Sequence, residues 1–176
     1  MEELVSSTRI YDGKIINLRV DQIKLPDGSL HQREIVEHPG AVAILPVLDD
    51  GRILLIRQYR HAVGKILLEI PAGTLAKDED PKECARRELL EETGYMAESI
   101  TELFSCYLAP GYSSERIHIY QASGLRMVGS RRDADEYIEL EPVTVDEVEA
   151  MIRNRQIQDA KTIAGVTFYL WRRGLG

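Results

Sequence analysis

Hydrophobic and polar positions alternate in the first part of the chain, which is the pattern of half-exposed β-strands. Residues 8–24 and 30–37 are predicted to be two such strands around the turn Pro26-Asp27-Gly28. They would form an N-terminal antiparallel hairpin. Such a hairpin either covers an edge of the main sheet or reaches across to a second subunit.

Two more continuous apolar runs follow at 41–48 and 52–59, separated by Asp49-Asp50-Gly51, which favours a hairpin. Because these runs are apolar on both faces of a strand, helices are expected to cover both sides of the sheet. A further strand at 65–70 leads into Pro71-Ala72-Gly73. There the glycine allows the backbone to approach a ligand closely.

The second half of the chain mixes strands with helices. The predicted elements are strands at 101–108, 115–122 and 137–143, loops at 108–115 and 124–136, and helices from Thr144 to about Asn154 and at 159–172. Trp171 is expected in the core or at an interface. This order predicts one α/β domain over residues 1–176, an α/β/α sandwich around a mixed sheet. Residues 1–40 would form the hairpin sheet and residues 41–176 the core.

One helix is specified in more detail than the others. Asp80 is the expected N-cap, Pro81 suits the first helical position, and Glu83 stands where it would complete a capping box. Gly94 can supply the left-handed residue that ends the helix. The apolar face of this helix is predicted to consist of Cys84, Ala85 and Leu89.

Three carboxylates stand three and four residues apart on this helix, so Glu88, Glu91 and Glu92 share one face. Like charges so placed repel each other. A hard divalent cation would turn the repulsion into attraction, because Mg2+ and Mn2+ prefer oxygen ligands. The alternative interpretation is a solvated acidic helix in which Arg87 pairs with Glu91. The other fixed positions of the segment favour metal binding.

The segment from Gly73 to Tyr95 resembles the Nudix hydrolase signature, which reads Gly, five residues, Glu, seven residues, Arg-Glu-aliphatic-x-Glu-Glu-x-Gly-aliphatic. The residues in register are Gly73, Glu79, Arg87, Glu88, Leu89, Glu91, Glu92 and Gly94. Tyr95 departs from the pattern, since the family has an aliphatic residue at this packing position.

The resemblance implies a set of metal ligands: the side chains of Glu88, Glu91 and Glu92 and the backbone carbonyl of Ala72. Glu91 would be shared between metals or would orient water, and thereby act in catalysis. Mg2+ is the expected cofactor, with Mn2+ as an alternative. Arg87 would position the glutamates through a bidentate pair rather than contact substrate.

The general base is expected from a different part of the chain. In the ADP-ribose pyrophosphatase branch of the family it comes from a mobile acidic loop after the signature. The acidic cluster at that place is Asp133 to Glu136. By this resemblance Glu136 is the first candidate, followed by Asp135 or Asp133. The alternative interpretation is a solvated acidic loop.

Candidate substrate residues also come from the resemblance to this branch. Pro110 lies sixteen residues beyond the last glycine of the signature and resembles the proline that marks the branch. Arg57 or Arg60 would grip a phosphate or ribose, and Glu69 would accept from ribose hydroxyls. Gly73 is a further substrate-binding candidate, because its backbone can approach a ligand closely. Surface solvation is the alternative for both arginines.

Charge and composition restrict the partners. A formal net charge of -7 and a pI near 5.2 argue against a general nucleic-acid binder. Two cysteines are too few for a disulfide framework, so a reduced cytoplasmic location is expected. Neither a signal peptide nor a membrane span of roughly 18 apolar residues is evident.

The expected function is that of a Mg2+-dependent hydrolase. It would cleave the pyrophosphate bond of ADP-ribose, giving AMP and ribose 5-phosphate, or that of a related nucleoside diphosphate sugar. Relatives in this branch use an N-terminal sheet in an intertwined dimer, so the resemblance implies a homodimer. Two alternatives are a non-catalytic domain that senses ADP-ribose and a Nudix RNA 5′-pyrophosphohydrolase.

Overall fold

The computed structural model describes residues 1–129 and 137–174 of the 176-residue chain. Within those ranges the strands are β1 (Glu3–Asp12), β2 (Asn17–Lys24), β3 (Leu30–Glu37), β4 (Ala41–Pro46), β5 (Ile53–Arg60), β6 (Lys65–Glu69), β7 (Ala72–Thr74), β8 (Tyr95–Tyr107), β9 (Arg116–Met127) and β10 (Ile138–Val143). The α-helices are α1 (Pro81–Thr93), α2 (Val145–Arg153) and α3 (Ala160–Arg172).

The chain divides into two compact units. One comprises Met1–Ala41 with Cys106–Ile117, and the other comprises Val42–Ser105 with His118–Gly176. The sheets have the strand orders β1-β2-β3, β10-β5-β6 and β7-β4-β9-β8. The domain division given by the sequence, a single domain with a boundary after residue 40, stays a prediction.

The first unit contains a three-stranded antiparallel sheet rather than a hairpin. The prediction of one strand over residues 8–24 was wrong, because a turn separates β1 from β2. In this turn the Gly13 amide donates to the Ile16 carbonyl at 3.0 Å and to Asn17 Oδ1 at 3.1 Å. Local hydrogen bonding at the glycine thus ends the strand. The predicted turn between β2 and β3 is confirmed, with Gly28 in the left-handed region.

The loop at 108–115 belongs to this same unit. The Val36 amide donates to the Tyr112 carbonyl at 2.8 Å, and the Ser114 amide donates to the Val36 carbonyl at 2.9 Å. These bonds attach the loop to the end of β3. The predicted loop is therefore confirmed, and the sheet satisfies the Tyr112 carbonyl and the Ser114 amide.

In the second unit, the turn after β4 forms as predicted but the hairpin does not. The Gly51 amide donates to the Leu48 carbonyl at 2.9 Å. A bridge between Val47 and Ile53 then follows, after which β4 joins β7 and β9 while β5 joins β6 and β10. All of β4 is buried, and in β5 the residues from Ile53 to Ile56 and Gln58 are buried. The local signal therefore forms the turn but does not decide the strand pairing, which depends on the tertiary context.

Helix α1 packs its apolar face into a core of the second unit. Cys84, Ala85 and Leu89 are fully buried, as predicted, and they lie in one cluster with Val42 and Ile44. Burying a side chain of the size of Leu89 stabilises the fold by about 1.5–3 kcal/mol. This packing fixes the helix against the sheet, so the orientation of its carboxylate face is also fixed.

The remaining predicted elements are mostly confirmed. Helix α2 has the expected capping box of Thr144 and Glu147, and the Asp159 side chain caps α3 by accepting from the Thr162 amide. The loop predicted at 124–136 was wrong for residues 124–127, which continue β9. Trp171 is 69% exposed, with its ring centroid 5.7 Å from that of Phe168, which excludes a core position. The interface alternative stays a prediction.

None of the helices in the described ranges has the length and hydropathy that a membrane span requires.

Candidate active site

The N-terminus of α1 is held by its cap. The Asp80 side chain accepts from the amides of Lys82 at 2.9 Å and Glu83 at 3.1 Å, and Pro81 occupies the first helical position. The Glu83 carboxylate pairs with Arg86 at 3.5 Å, whereas the predicted capping box required it to turn back to the Asp80 backbone.

Two carboxylates of α1 lie against the backbone of the segment that follows β6. Glu92 is 3% exposed, and its Oε2 accepts from the Ala72 amide at 2.9 Å. Glu88 lies over Gly73 so closely that a Cβ at that residue would stand 1.9 Å from the Glu88 Cδ. Any larger residue here would force the Glu88 carboxylate or the loop to shift. The structure thus brings together Ala72, Gly73, Glu88 and Glu92. That these residues hold a metal ion stays a prediction.

Arg87 is the cationic centre of this face. Its Nε and Nη2 donate to the two oxygens of Glu79 at 2.9 and 3.1 Å, which is the predicted bidentate geometry. Its Nη1 donates to Glu88 at 2.6 Å and to Glu91 at 2.9 Å. One guanidinium therefore orients three carboxylates and offsets part of their negative charge.

The ion pair between Arg87 and Glu79 also shifts the pKa of both groups. The hydrogen bond from Arg87 lowers the pKa of the Glu79 carboxyl to about 2, although burial opposes the shift. The Arg87 pKa is raised above its ordinary value, chiefly by the same hydrogen bond. Both groups are therefore charged at neutral pH. Burial raises the pKa of the nearby Cys84 thiol to about 12, which excludes a thiolate nucleophile there.

The donor set fits a hard divalent cation by its chemistry. Three carboxylates share the helix face, and two of them meet the loop backbone where a carbonyl ligand is expected. Within residues 1–129 and 137–174, no three His, Cys, Asp or Glu side chains are already close enough to hold a metal ion. Arg87 and the Ala72 amide instead bind Glu88, Glu91 and Glu92. A cation would have to compete with these donors.

The candidate substrate residues have different surroundings. Arg57 pairs with Glu141 at 2.9 Å and is 41% exposed at its side chain. Arg60 instead makes a bidentate pair with Glu69, at 3.0 and 2.7 Å. Pro110 is exposed and lies in the loop of the first unit. The predicted roles of these four residues stay predictions.

The acidic cluster expected to supply the general base lies outside the described residues. This applies to Asp133, Asp135 and Glu136 alike. Their assignment therefore rests on the sequence resemblance alone.

Two residues near the site were missed by sequence reasoning. Lys161 binds the Glu69 carboxylate, and the Thr162 hydroxyl accepts from the Ile70 amide at 2.8 Å. Both are separated from their partners by 92 residues. A long-range contact of this kind leaves no periodic or local motif in one sequence.

Comparison with known proteins assigns the fold and the family. Residues 37–165 match a family model described as the NUDIX domain. The chain belongs to the Nudix family. Residues 2–36 match a second model, described as a nucleoside diphosphate sugar hydrolase N-terminal domain. The predicted Nudix identity and hydrolase class are confirmed.

Three relatives extend over most of this Nudix chain. An ADP-ribose pyrophosphatase of Bacillus subtilis is 38% identical, covering 99% of this chain and 95% of its own. A methanol dehydrogenase activator of Bacillus methanolicus is 40% identical, with 95% and 91% covered. A GDP-mannose pyrophosphatase of Yersinia enterocolitica is 38% identical, with 70% and 69% covered.

A solved structure described as an ADP compounds hydrolase superposes with a TM-score of 0.86. It covers 99% of this chain and 97% of its own at 21% sequence identity. This similarity confirms the predicted α/β fold. Nudix hydrolases as a family use divalent metal ions, which agrees with the carboxylate set on α1.

Proposed function

We propose that this Nudix protein is a Mg2+-dependent pyrophosphatase acting on ADP-ribose or a related nucleoside diphosphate sugar. One water is consumed at the phosphoanhydride. ADP-ribose gives AMP and ribose 5-phosphate, and a nucleoside diphosphate sugar gives a nucleoside monophosphate and a sugar 1-phosphate. The observation that supports it best is the meeting of Glu88 and Glu92 with the Ala72–Gly73 backbone beside Arg87.

The proposed metal ligands are Glu88, Glu91, Glu92 and the Ala72 carbonyl. A bound divalent cation neutralises charge on the diphosphate and lowers the pKa of water. The chain's own groups prepare the site for this. Gly73 leaves room for the Glu88 carboxylate beside the loop, and Arg87 limits the repulsion among the carboxylates when the site carries no cation.

The proton of the attacking water requires a base. We assign it to Glu136, with Asp135 or Asp133 as substitutes, because carboxylates are ionised at neutral pH and this cluster follows the signature at the spacing of the ADP-ribose branch. Glu136→Gln should lower kcat by about a hundredfold or more while Mn2+ affinity stays unchanged. Normal turnover in this variant would rule out Glu136.

Among the candidate substrate residues, Arg57 is the one whose geometry best suits contact with a ligand. Its side chain is 41% exposed, and its pairing with Glu141 lies at the surface. Glu69 is 1% exposed and already accepts three hydrogen bonds from cations. This favours a supporting role for the Arg60–Glu69 pair over direct recognition of ribose. Pro110 stays a proposed marker of the substrate loop.

The choice of substrate class draws on the relatives. The chain matches an ADP-ribose pyrophosphatase over nearly its whole length, and its N-terminal region matches a model named for nucleoside diphosphate sugar hydrolases. ADP-ribose is therefore the first substrate to test. GDP-mannose is the second, because a GDP-mannose pyrophosphatase matches at the same identity over a shorter span.

A homodimer through the N-terminal sheet is part of the proposal. Every residue of β1 is exposed, and its apolar side chains include Leu4, Val5, Ile10 and Tyr11. An exposed edge strand with such side chains tends to pair or be covered.

The cytoplasmic location also stays a proposal; Cys84 and Cys106 are both free thiols. No role in nucleic-acid binding is proposed, given the acidic net charge.

The direct test is a substrate panel under Mg2+ and Mn2+. ADP-ribose, GDP-mannose, a dinucleoside polyphosphate and triphosphorylated RNA should be compared by product chromatography. The proposal expects nucleoside monophosphate from a sugar diphosphate, with one 18O atom incorporated from labelled water. Tight ADP-ribose binding without metal-dependent product would support the sensing domain. RNA as the best substrate would support the 5′-end enzyme.

A further inference from the structure

The five residues from Glu69 to Gly73 are anchored one after another by different elements. The Glu69 carboxylate is bound by Arg60 of β5 and by Lys161 of α3. The Ile70 amide donates to Thr162 Oγ1 of α3, and the Pro71 carbonyl accepts from β4 at 2.8 Å. Ala72 and Gly73 then meet Glu92 and Glu88 of α1, as described above. The segment therefore has little freedom to move independently of α3.

Because Glu69 is buried, its negative charge must be balanced by nearby cations. Its side chain is 1% exposed, and that of Lys161 is 12% exposed. A buried carboxylate without a partner is strongly destabilising, so both cations are needed to hold it in place. Burial raises the Glu69 pKa, but hydrogen bonds and charge interactions with Arg60 and Lys161 lower it by more. The net pKa is therefore below the ordinary value of a glutamate. Glu69 is therefore ionised.

The N-terminal turn of α3 is itself a rigid anchor. The Asp159 Oδ2 accepts from the Thr162 amide at 3.0 Å and from the Thr162 hydroxyl at 2.5 Å. Its Oδ1 lies 3.1 Å from Lys161 Nζ. Lys161 thus bridges the helix cap and the buried carboxylate. The same Asp159 that caps the helix also orients the hydroxyl that receives the Ile70 amide.

Charge interactions also connect the anchored segment with the carboxylates of α1. Arg60, which holds Glu69, also interacts with the charge of Glu92. Glu92 in turn accepts from the Ala72 amide, three residues after Glu69. A shift of Glu69 would therefore move the backbone that Glu92 binds and would change the local charge.

We propose that Lys161 is a positioning residue for the metal site. It holds Glu69, and the adjoining Thr162 holds Ile70, so that Ala72 and Gly73 meet Glu92 and Glu88 at a fixed place. Lys161 touches neither substrate nor metal in this account. The effect of Lys161 on catalysis rests on the proposed function. Its effect on the geometry of the metal site can be tested with metal alone.

The test compares Lys161→Met with Lys161→Arg in the full chain. Lys161→Met keeps the length and apolar stem but loses the charge, and Lys161→Arg keeps the charge. Val148→Ala is the matched control, because Val148 is fully buried in α2, which supplies none of the hydrogen bonds described above for the anchored segment, and its truncation destabilises the fold. The midpoint of thermal unfolding is measured for every variant, and only variants that are folded at the assay temperature are compared.

Two readouts besides activity are measured. Mn2+ binding followed by electron paramagnetic resonance should weaken by about tenfold in Lys161→Met, the size of effect that partners of metal ligands commonly have. Amide exchange followed by nuclear magnetic resonance should speed up at Ile70 and Ala72. Lys161→Arg should restore most of both properties. Val148→Ala should retain Mn2+ affinity despite its lower stability.

The outcomes separate this inference from the proposed function. Unchanged Mn2+ affinity and unchanged exchange in folded Lys161→Met would overturn the inference, whatever the substrate proves to be. Wild-type protein that binds Mn2+ but hydrolyses no diphosphate would overturn the proposed function alone. If the wild type binds no Mn2+, the proposed function fails and exchange at Ala72 decides the positioning. If Lys161→Met does not fold, Lys161→Gln takes its place.

Discussion

Two networks of charged side chains in this protein use the same residue types but differ in burial. On the N-terminal sheet, Arg9 and Arg19 both bind Glu37, and the exposed fractions of these side chains are 43%, 36% and 27%. Around the candidate site, Glu69 and Glu92 are 1% and 3% exposed. The surface network is screened by water and salt, whereas the buried one is screened much less.

The difference in burial determines how strongly each network affects stability and the positions of neighbouring residues. Surface ion pairs contribute little to stability, because their partners interact almost as well with water. A buried carboxylate must be bound on every side, so its neighbours are fixed in space. The buried network therefore defines the positions of Ala72 and Gly73, and the surface network defines no comparable site.

The largest expected effect comes from Glu92→Gln. The amide oxygen can still accept from Ala72, so the fold should be retained, but the negative charge is lost. Turnover of the substrate identified in the panel should fall by about a hundredfold or more, at least as much as the loss of a metal ligand's partner costs. Glu83→Gln, on an exposed position of the same helix, is the control. Equal turnover in both variants would contradict the metal site.

The next effect is expected at the glycine. Gly73→Ala would bring a Cβ to 1.9 Å from the Glu88 Cδ, so the loop or the carboxylate must shift. We expect a loss of about 1–3 kcal/mol in the free energy of unfolding, typical of overpacking, and about a tenfold loss of turnover. The double variant Gly73→Ala/Glu88→Ala should regain stability but not activity. Additive stability losses would show that the two residues do not clash.

A smaller effect is expected from Glu79→Gln and depends on pH. The Glu79 pKa is lowered from 4.5 to about 2 in the folded protein, chiefly by the hydrogen bond from Arg87. Its stabilising contribution is therefore complete above pH 4.5 and is lost as the pH falls towards 2. Urea unfolding should show the wild type more stable by about 1 kcal/mol at pH 7, with the difference vanishing at the acid end. A constant difference would refute the ion pair's role.

The smallest effect is expected on the N-terminal sheet. Glu37→Gln removes the acceptor shared by Arg9 and Arg19, yet these pairs lie at the surface. The midpoint of thermal unfolding should change only slightly at low salt and not at all at high salt. A large, salt-independent loss would mean that this network is buried in an assembly. That result would support the proposed homodimer.

The sequence allowed α1 and its carboxylate face to be predicted because the necessary information is local. The Asp80 cap, the apolar positions led by Leu89 and the terminal Gly94 all act within one helix. The spacing of Glu88 and Glu92 then places them on one face whatever the rest of the chain does. Only the completion of the capping box by Glu83 was wrong.

Features that depend on distant contacts could not be predicted in this way. The turn at Gly51 is a local signal, but the separation of β4 and β5 into two sheets is decided by strands far along the chain. The exposure of Trp171 depends on what packs against α3, which its apolar character does not reveal. No local pattern distinguishes Lys161 from other helix lysines, because its partner Glu69 lies 92 residues away in the chain.

The central claim is that Glu88 and Glu92, together with the Ala72–Gly73 backbone, hold divalent cations for the hydrolysis of a diphosphate. The most direct measurement is anomalous diffraction from crystals soaked in Mn2+ with a non-hydrolysable ADP-ribose analogue. The account predicts anomalous density within coordination distance of the Glu88 and Glu92 carboxylates, about 2.0–2.6 Å, with the diphosphate beside it. Bound diphosphate with no metal at these carboxylates, or metal only elsewhere, would contradict it.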